Sequence, residues 1–323
     1  MKSSIYKFFI LVMVLMFCPL AGIGKTKVVK KKNDPASYLQ QGKEAFYNYE
    51  FEKASEFFDD YRDSKKKLSE AEETEISDLE NRLEIATRAF DRVQKVVVID
   101  SITVPRSKFF QYYNLSPSTG KVGLPGDLGV NDVKNQNEVS YINESGDYFV
   151  TSISEGGNDL RLKENRKLLD GSWETTEMLN GDIELNGNYN YPYLNGDGQT
   201  FYFANDGEES MGGYDLFVVQ KEPISGESLQ PLNLGMPFNS PYDDFLLVTD
   251  DENGVGWWAT DRNSPGGDVT IYVYLLEEVR KNYSPDTENL SDFARLSNYK
   301  ATQDPGKEKE YSEILNKIRG RNK

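Results

Sequence analysis

Three Gly-Gly pairs, Gly156-Gly157, Gly212-Gly213 and Gly266-Gly267, stand 56 and 54 residues apart, and this recurrence limits the fold more than any other feature of the chain. The residues around each pair repeat in order. In the middle copy Asn195-Gly196-Asp197-Gly198 reads as a turn, 200–204 as an aromatic strand, Gly212-Gly213-Tyr214-Asp215 as a second turn, and 216–220 as the next strand. The earlier copy runs Ser145-Gly146-Asp147, strand 148–151, Gly156-Gly157-Asn158-Asp159, then Leu160. The later copy runs Glu252-Asn253-Gly254, strand 256–259, Gly266-Gly267-Asp268, then strand 271–274. The connectors share the period: Leu128-Gly129, Leu179-Asn180-Gly181 and Leu234-Gly235 recur at steps of 51 and 55, and Pro117 and Pro223 lie 106 apart. A fixed period of this size marks a solenoid, a propeller or an array. Short strands in fours favour propeller blades. The expected class is therefore mainly β, propeller-like repeats of four-stranded blades over 96–280.

A helical segment precedes the repeats, over 35–95. Between Pro35 and Val93 the only glycine is Gly42, and Ala, Glu, Lys and Leu dominate. Asp34 can cap a first helix with Pro35 at its first position. Leu39, Gly42, Ala45, Phe46 and Tyr49 form one apolar stripe, and Ala54, Phe57, Phe58 and Tyr61 a second. The short junction at 47–51 predicts an antiparallel hairpin. A longer helix over 68–93 carries Ile76, Leu79, Leu83, Ala86 and Phe90. These stripes read first as core, and second as a groove for a partner peptide.

Composition removes whole classes of chemistry. Among 323 residues there is no His and one Cys. Ser-His-Asp and Cys-His catalysis, His-ligated metals, intrachain disulfides and Cys clusters are thereby excluded. The net charge of −16 repels nucleic acid. No phosphate-gripping Gly loop followed by Lys and Ser/Thr occurs, and no cofactor is implied.

The first 24 residues read as a secretory signal peptide: Lys2 and Lys7, the apolar run 10–17, then Pro19 and small residues, with cleavage near Gly22 or Gly24. Its loss takes the charge from −16 to −18 and removes Cys18. Met16 and Phe17 before Cys18 are too large for a lipobox, so lipidation is not expected. The basic tract within 25–34 reads as a solvated linker, with attraction to an anionic membrane surface as the alternative. The periplasm, with outer-membrane association peripheral at most, is the expected compartment. Residues 281–323 read as a polar tail with a short helix at Tyr311, Ile314, Leu315 and Ile318, able to cap the sheets.

Residues 192–217, from the proline before the Asn-Gly-Asp-Gly turn through the aromatic strand to Gly-Gly-Tyr-Asp-Leu-Phe, resemble the WD-like repeat of TolB-type β-propeller proteins. The resemblance extends over about 110–276, with degenerate outer copies, and the helical segment is similar to one tetratricopeptide repeat. This pairing is similar to cell-envelope proteins of Bacteroidetes-type bacteria and to relatives in type IX secretion. It implies a non-catalytic interaction or scaffold role with other envelope proteins, or with peptidoglycan or glycan.

The repeat signatures Gly156, Gly157, Asp197, Gly198, Gly212, Gly213, Asp215, Gly266 and Gly267 are expected to be structural, with Asp215 bonded to turn amides. Phe201, Phe203 and Phe217 are expected between blades, and Tyr202 on the opposite pleat. Strand 96–104 can be part of a degenerate fourth unit or complete the last blade. Tyr193, Trp257 and Trp258 are the candidates for partner contact. A glycan-binding or glycan-cleaving propeller is the alternative, with Asp243, Asp244, Asp250 and Asp261 as its carboxylates. A truncated structural relative of an envelope component is a further alternative. No metal site is assigned: the best calcium candidate, Asn195 to Gly198, lacks the remaining ligands.

Overall fold

Pro35 opens the first helix because its fixed φ suits a first helical turn and its missing N–H would have no partner there. The computed structural model describes residues 34–130, 136–154, 159–178, 185–222 and 227–320. The expected signal peptide and basic tract lie outside the described residues. Helix α1 spans Pro35–Tyr47, α2 Phe51–Ser64 and α3 Glu70–Phe90. Asp34 occupies the N-cap of α1, but its side chain makes no cap bond; its carbonyl accepts from the Ser37 and Tyr38 amides instead. Helix α3 begins with a complete capping box, in which Ser69 and Glu72 each satisfy the other's backbone amide. Gly42 permits the close α1–α2 approach, since a Cβ there would lie 2.4 Å from the Phe58 ring.

The remainder is mainly β. Strand β1 is Val98–Pro105, followed by β2 (Lys121–Gly123), β3 (Ser140–Ile142), β4 (Tyr148–Ser154), β5 (Leu160–Lys167) and β6 (Trp173–Glu177). Then come β7 (Tyr189–Leu194), β8 (Thr200–Asn205), β9 (Asp215–Gln220), β10 (Leu232–Asn233), β11 (Asp244–Asp250), β12 (Val255–Thr260) and β13 (Asp268–Leu275). They build three antiparallel sheets, ordered β2-β3-β4-β5-β6, β10-β9-β8-β7 and β1-β13-β12-β11. The first sheet therefore has five strands, one more than the repeat pattern suggests. Strand β1 pairs along its length with β13, from Val98 opposite Tyr274 to Pro105 opposite Asp268. Of the two placements open to this strand, the structure takes completion of the last sheet.

Strand β7 packs against the first sheet and β11 against the second. Between the third sheet and the first lies the segment 106–119, two short 3-10 turns rich in aromatics. Phe109 meets Phe245 edge-on at 5.1 Å, Tyr113 lies 5.7 Å from Trp257, and the Tyr113 hydroxyl donates to the Leu246 carbonyl at 2.8 Å. Phe201, Phe203 and Phe217 are buried in this shared core as expected, while Tyr202 points to the other side. Phe203 and Phe217 stack across the β8–β9 pair, the favoured way to stabilise a cross-strand position.

The C-terminal residues are integral to the fold. Helix α4 (Leu290–Arg295) buries Leu290 and Ala294 with the helical segment, and α5 (Glu308–Arg319) buries Tyr311 and Ile318 in the main core. Among the described residues, no helix is long and apolar enough to cross a membrane.

Candidate functional site

The four candidate carboxylates are all taken up by the architecture. Arg106, at the end of β1, lies over the Phe245 ring and forks between Asp243 (2.6 Å) and Asp261 (3.1 Å). Asp243 also accepts from the Tyr214 amide, and Asp261 from the Asp243 amide. Burial, then the Asp243 charge, pushes the Asp261 carboxyl up. Asp244 is fully buried against Arg262, itself 1% exposed. The guanidinium also donates to the Pro237, Phe238 and Ala294 carbonyls, so one cation ties β12 to two neighbouring segments. Burial pushes the Asp244 carboxyl up to about 6, opposed by Arg262. Asp250 accepts from the Ser116 amide and hydroxyl and from Asn253. That binds the β11–β12 turn to the 116–119 segment. A general acid or nucleophile needs a carboxylate facing open space beside a second one. These four face arginines and amides.

The repeat signatures do the turn work expected of their residue types. Asp215 accepts from the Met211 amide at 3.0 Å, the Gly212 amide at 3.2 Å and Asn233 at 2.8 Å. Burial nevertheless raises its carboxyl to about 7. Asp197 accepts from the Gln199 and Thr200 amides and from the Thr200 hydroxyl, closing the β7–β8 hairpin at Gly198. The Gly-Gly pairs differ in their reason for being glycine. A Cβ on Gly212 would meet the Tyr242 carbonyl at 2.1 Å and that of Ser240 at 2.5 Å, and one on Gly213 would meet Asp243 at 2.0 Å. Gly266 and Gly267 instead have left-handed φ with open space around them. Gly156 and Gly157 lie outside the described residues.

Tyr193, Trp257 and Trp258 do not serve partner contact: they are 1%, 2% and 0% exposed. The two indoles face opposite sides of β12, as strand geometry requires, but both sides are covered. Tyr193 donates its hydroxyl to the Thr249 carbonyl. The expectation fails because a strand can be buried on both faces.

The open feature lies on the helical segment. Helices α2 and α3 bound a cleft of about 470 Å³, beneath which Phe51, Phe58 and Leu83 are buried in the helical core. Glu52, Asp59, Glu80 and Glu84 line its rim, with Arg88 the one cation among the lining residues. Glu80 is held by Arg62, which also reaches Glu73. The cleft has a fixed position on the sheets. Tyr49, between α1 and α2, is buried, and Arg295 lies over its ring. Tyr47 packs on Tyr242 at 5.2 Å, and Asn81 donates to the Glu208 carbonyl at 2.7 Å. Met211 and Met236 complete the helical core. Sequence periodicity locates the helices but not these anchors, since their partners are 127 residues or more distant.

Comparison with family models, with curated proteins and with solved structures finds no match for this chain.

Proposed function

We propose that this chain is a secreted, non-catalytic protein of the periplasm or outer-membrane surface that acts by binding other envelope proteins. Its three sheets are the blades of a small TolB-like propeller. Strand β1 supplies the outermost strand of the last blade, and the aromatic 106–119 segment fills the space between the last blade and the first. The helical segment is a tetratricopeptide-like adaptor mounted on that body.

The observation that supports the reading best is the contrast between the two chemically interesting regions. Asp243, Asp244, Asp250 and Asp261 are engaged by structural bonds, whereas the α2–α3 cleft is open and seated on the sheets. An exposed, charged helical surface suits recognition of an oppositely charged partner. The test pairs a glycan-hydrolysis panel with affinity capture from native envelopes. The expected outcome is no turnover, and capture of an envelope protein that is lost on mutating the exposed helical rim. Hydrolysis abolished by Asp244→Asn and Asp261→Asn, in protein that remains folded, would replace this reading with the glycan-cleaving one.

A further inference from the structure

The three sheets end at β6, β10 and β1, opposite their ends β2, β7 and β11. An edge strand leaves a row of backbone N–H and C=O groups unpaired, and proteins blunt such edges or cover them. Two of the three are treated in that way here. Strand β10 is two residues long. On β1, the Thr302 hydroxyl accepts from the Val98 amide, and the Gln303 side-chain amide donates to the Val98 carbonyl, both at 2.9 Å. Strand β6 has neither device. It runs Trp173–Glu177 in unbroken register with β5, without Pro, Lys or a bulge, and residues 174–177 are exposed.

The direction of its free groups follows from the ladder. The Leu168 amide donates to the Ser172 carbonyl, and the Met178 amide to the Leu162 carbonyl. Ser172 and Met178 therefore face β5 at the two ends of β6, and backbone direction alternates along an antiparallel strand. Trp173, Thr175 and Glu177 aim their N–H and C=O groups away from β5. Among the described residues no backbone partner reaches those groups. Charges on the hairpin are matched within it. Glu177 is bonded to Lys163, Glu174 stands opposite Arg166, and Lys167 lies over the Trp173 ring at 5.9 Å.

We propose that β6 is a dimerisation edge: it pairs antiparallel with β6 of a second copy of this chain, with Thr175 at the two-fold axis. A two-fold contact sets the same surface against itself, so the strand must be complementary to its own reverse. It is. In this register Trp173 faces Glu177 of the second copy, Thr175 faces its counterpart, and about six backbone hydrogen bonds form. Between them Glu174 faces Thr176 of the second copy. Across the joined strands one face reads Lys163, Glu177, Trp173, Lys167, and the other Arg166, Glu174, Thr176, Glu164. Each β6 carboxylate keeps its own cation and meets no like charge directly opposite. The register is also specified. A slip of two residues one way sets Glu174 against its counterpart, and the other way leaves Trp173 beyond the end of the second strand.

The experiment follows the chain lacking residues 1–24 by sedimentation velocity over a range of concentrations. A contact this small is transient, so a reversible dimer with a dissociation constant of about 10–300 µM is expected. Thr175→Pro removes the central outward N–H and leaves the β5 ladder intact, since proline is tolerated where an edge N–H faces solvent. It is expected to weaken the dimer at least about 10-fold. Thr176→Lys sets a lysine against Glu174 twice in each dimer and is expected to tighten it at least about 3-fold. Without Cys18 the chain has no cysteine, so an introduced thiol reports the register alone. Thr175→Cys is expected to oxidise to a covalent dimer, because directly facing Cα atoms lie about 5.5 Å apart. Glu177→Cys, which faces Trp173, is not. Circular dichroism melts confirm that the variants fold. A chain still monomeric at about 500 µM, or a dimer indifferent to Thr175→Pro, overturns the proposal. So does equal cross-linking at 175 and 177. An envelope protein captured by a monomeric chain and lost in Thr175→Pro would make a partner's strand the occupant, which overturns the dimer and leaves the binding role standing.

Discussion

At the scale of single residues, close approach and burial decide what each position tolerates. Gly212 lies against two backbone carbonyls, whereas the neighbour met by Gly213 is a side chain. Gly212→Ala is therefore expected to destabilise by about 1–3 kcal/mol, and Gly213→Ala by less, read from urea unfolding midpoints. Arg262→Met would strand the buried Asp244 carboxylate and three carbonyls, an expected loss of about 3–5 kcal/mol. A loss below 1 kcal/mol would show that the ion pair is not the hub described here. Asp215 makes stability depend on pH. Burial raises its folded carboxyl to about 7, so between about pH 4 and 7 the native state holds a proton that the unfolded chain has released. Its contribution is full below pH 4 and disappears as pH rises through 7. Melting temperature is expected to fall from pH 5.5 to 8.5, and the slope to flatten in Asp215→Asn. An identical slope in both proteins would contradict the assignment.

At the scale of elements, helices and hairpins were legible because their signals are local. The 3.6-residue stripes of α1 and α2 and the Asn-Gly-Asp-Gly hairpin follow from residue type within a few positions. The Ser69 cap is equally local; Ser69→Ala is expected to weaken α3 by about 1 kcal/mol, with faster amide exchange in its first turn. Gly42→Ala is expected to push α1 from α2, because the Phe58 ring it would meet is buried and cannot yield. What was not legible is the extra strand β2 and the aromatic segment 106–119. The partners of that segment, such as Leu246 for Tyr113 and Asp250 for Ser116, are more than 130 residues away. The burial of Trp257 and Trp258 was hidden for the same reason. Alternation marks two faces of a strand but does not say that both are covered.

At the scale of the molecule, β1 and the C-terminal helices hold the body together. Strand β1 closes the last sheet, and α5 packs Tyr311 and Ile318 beside Ile99 of that strand. Truncation before Glu308 is expected to lose about 3 kcal/mol or more, because two large side chains leave the core. A truncated chain with an unchanged melting curve would show that α5 adds nothing to the core. The helical segment shares its core with Met211, Met236, Leu290 and Ala294, so helices and sheets are built into one packed unit. This packing gives the helical hairpin, proposed here to bind an envelope protein, a fixed position on the sheets. Cross-linking with mass spectrometry in intact envelopes tests that claim most directly. The account predicts reproducible links from Lys53 and Lys43, on the two helices of the hairpin, to one envelope protein. Links confined to the β sheets, or none to any protein, would contradict it.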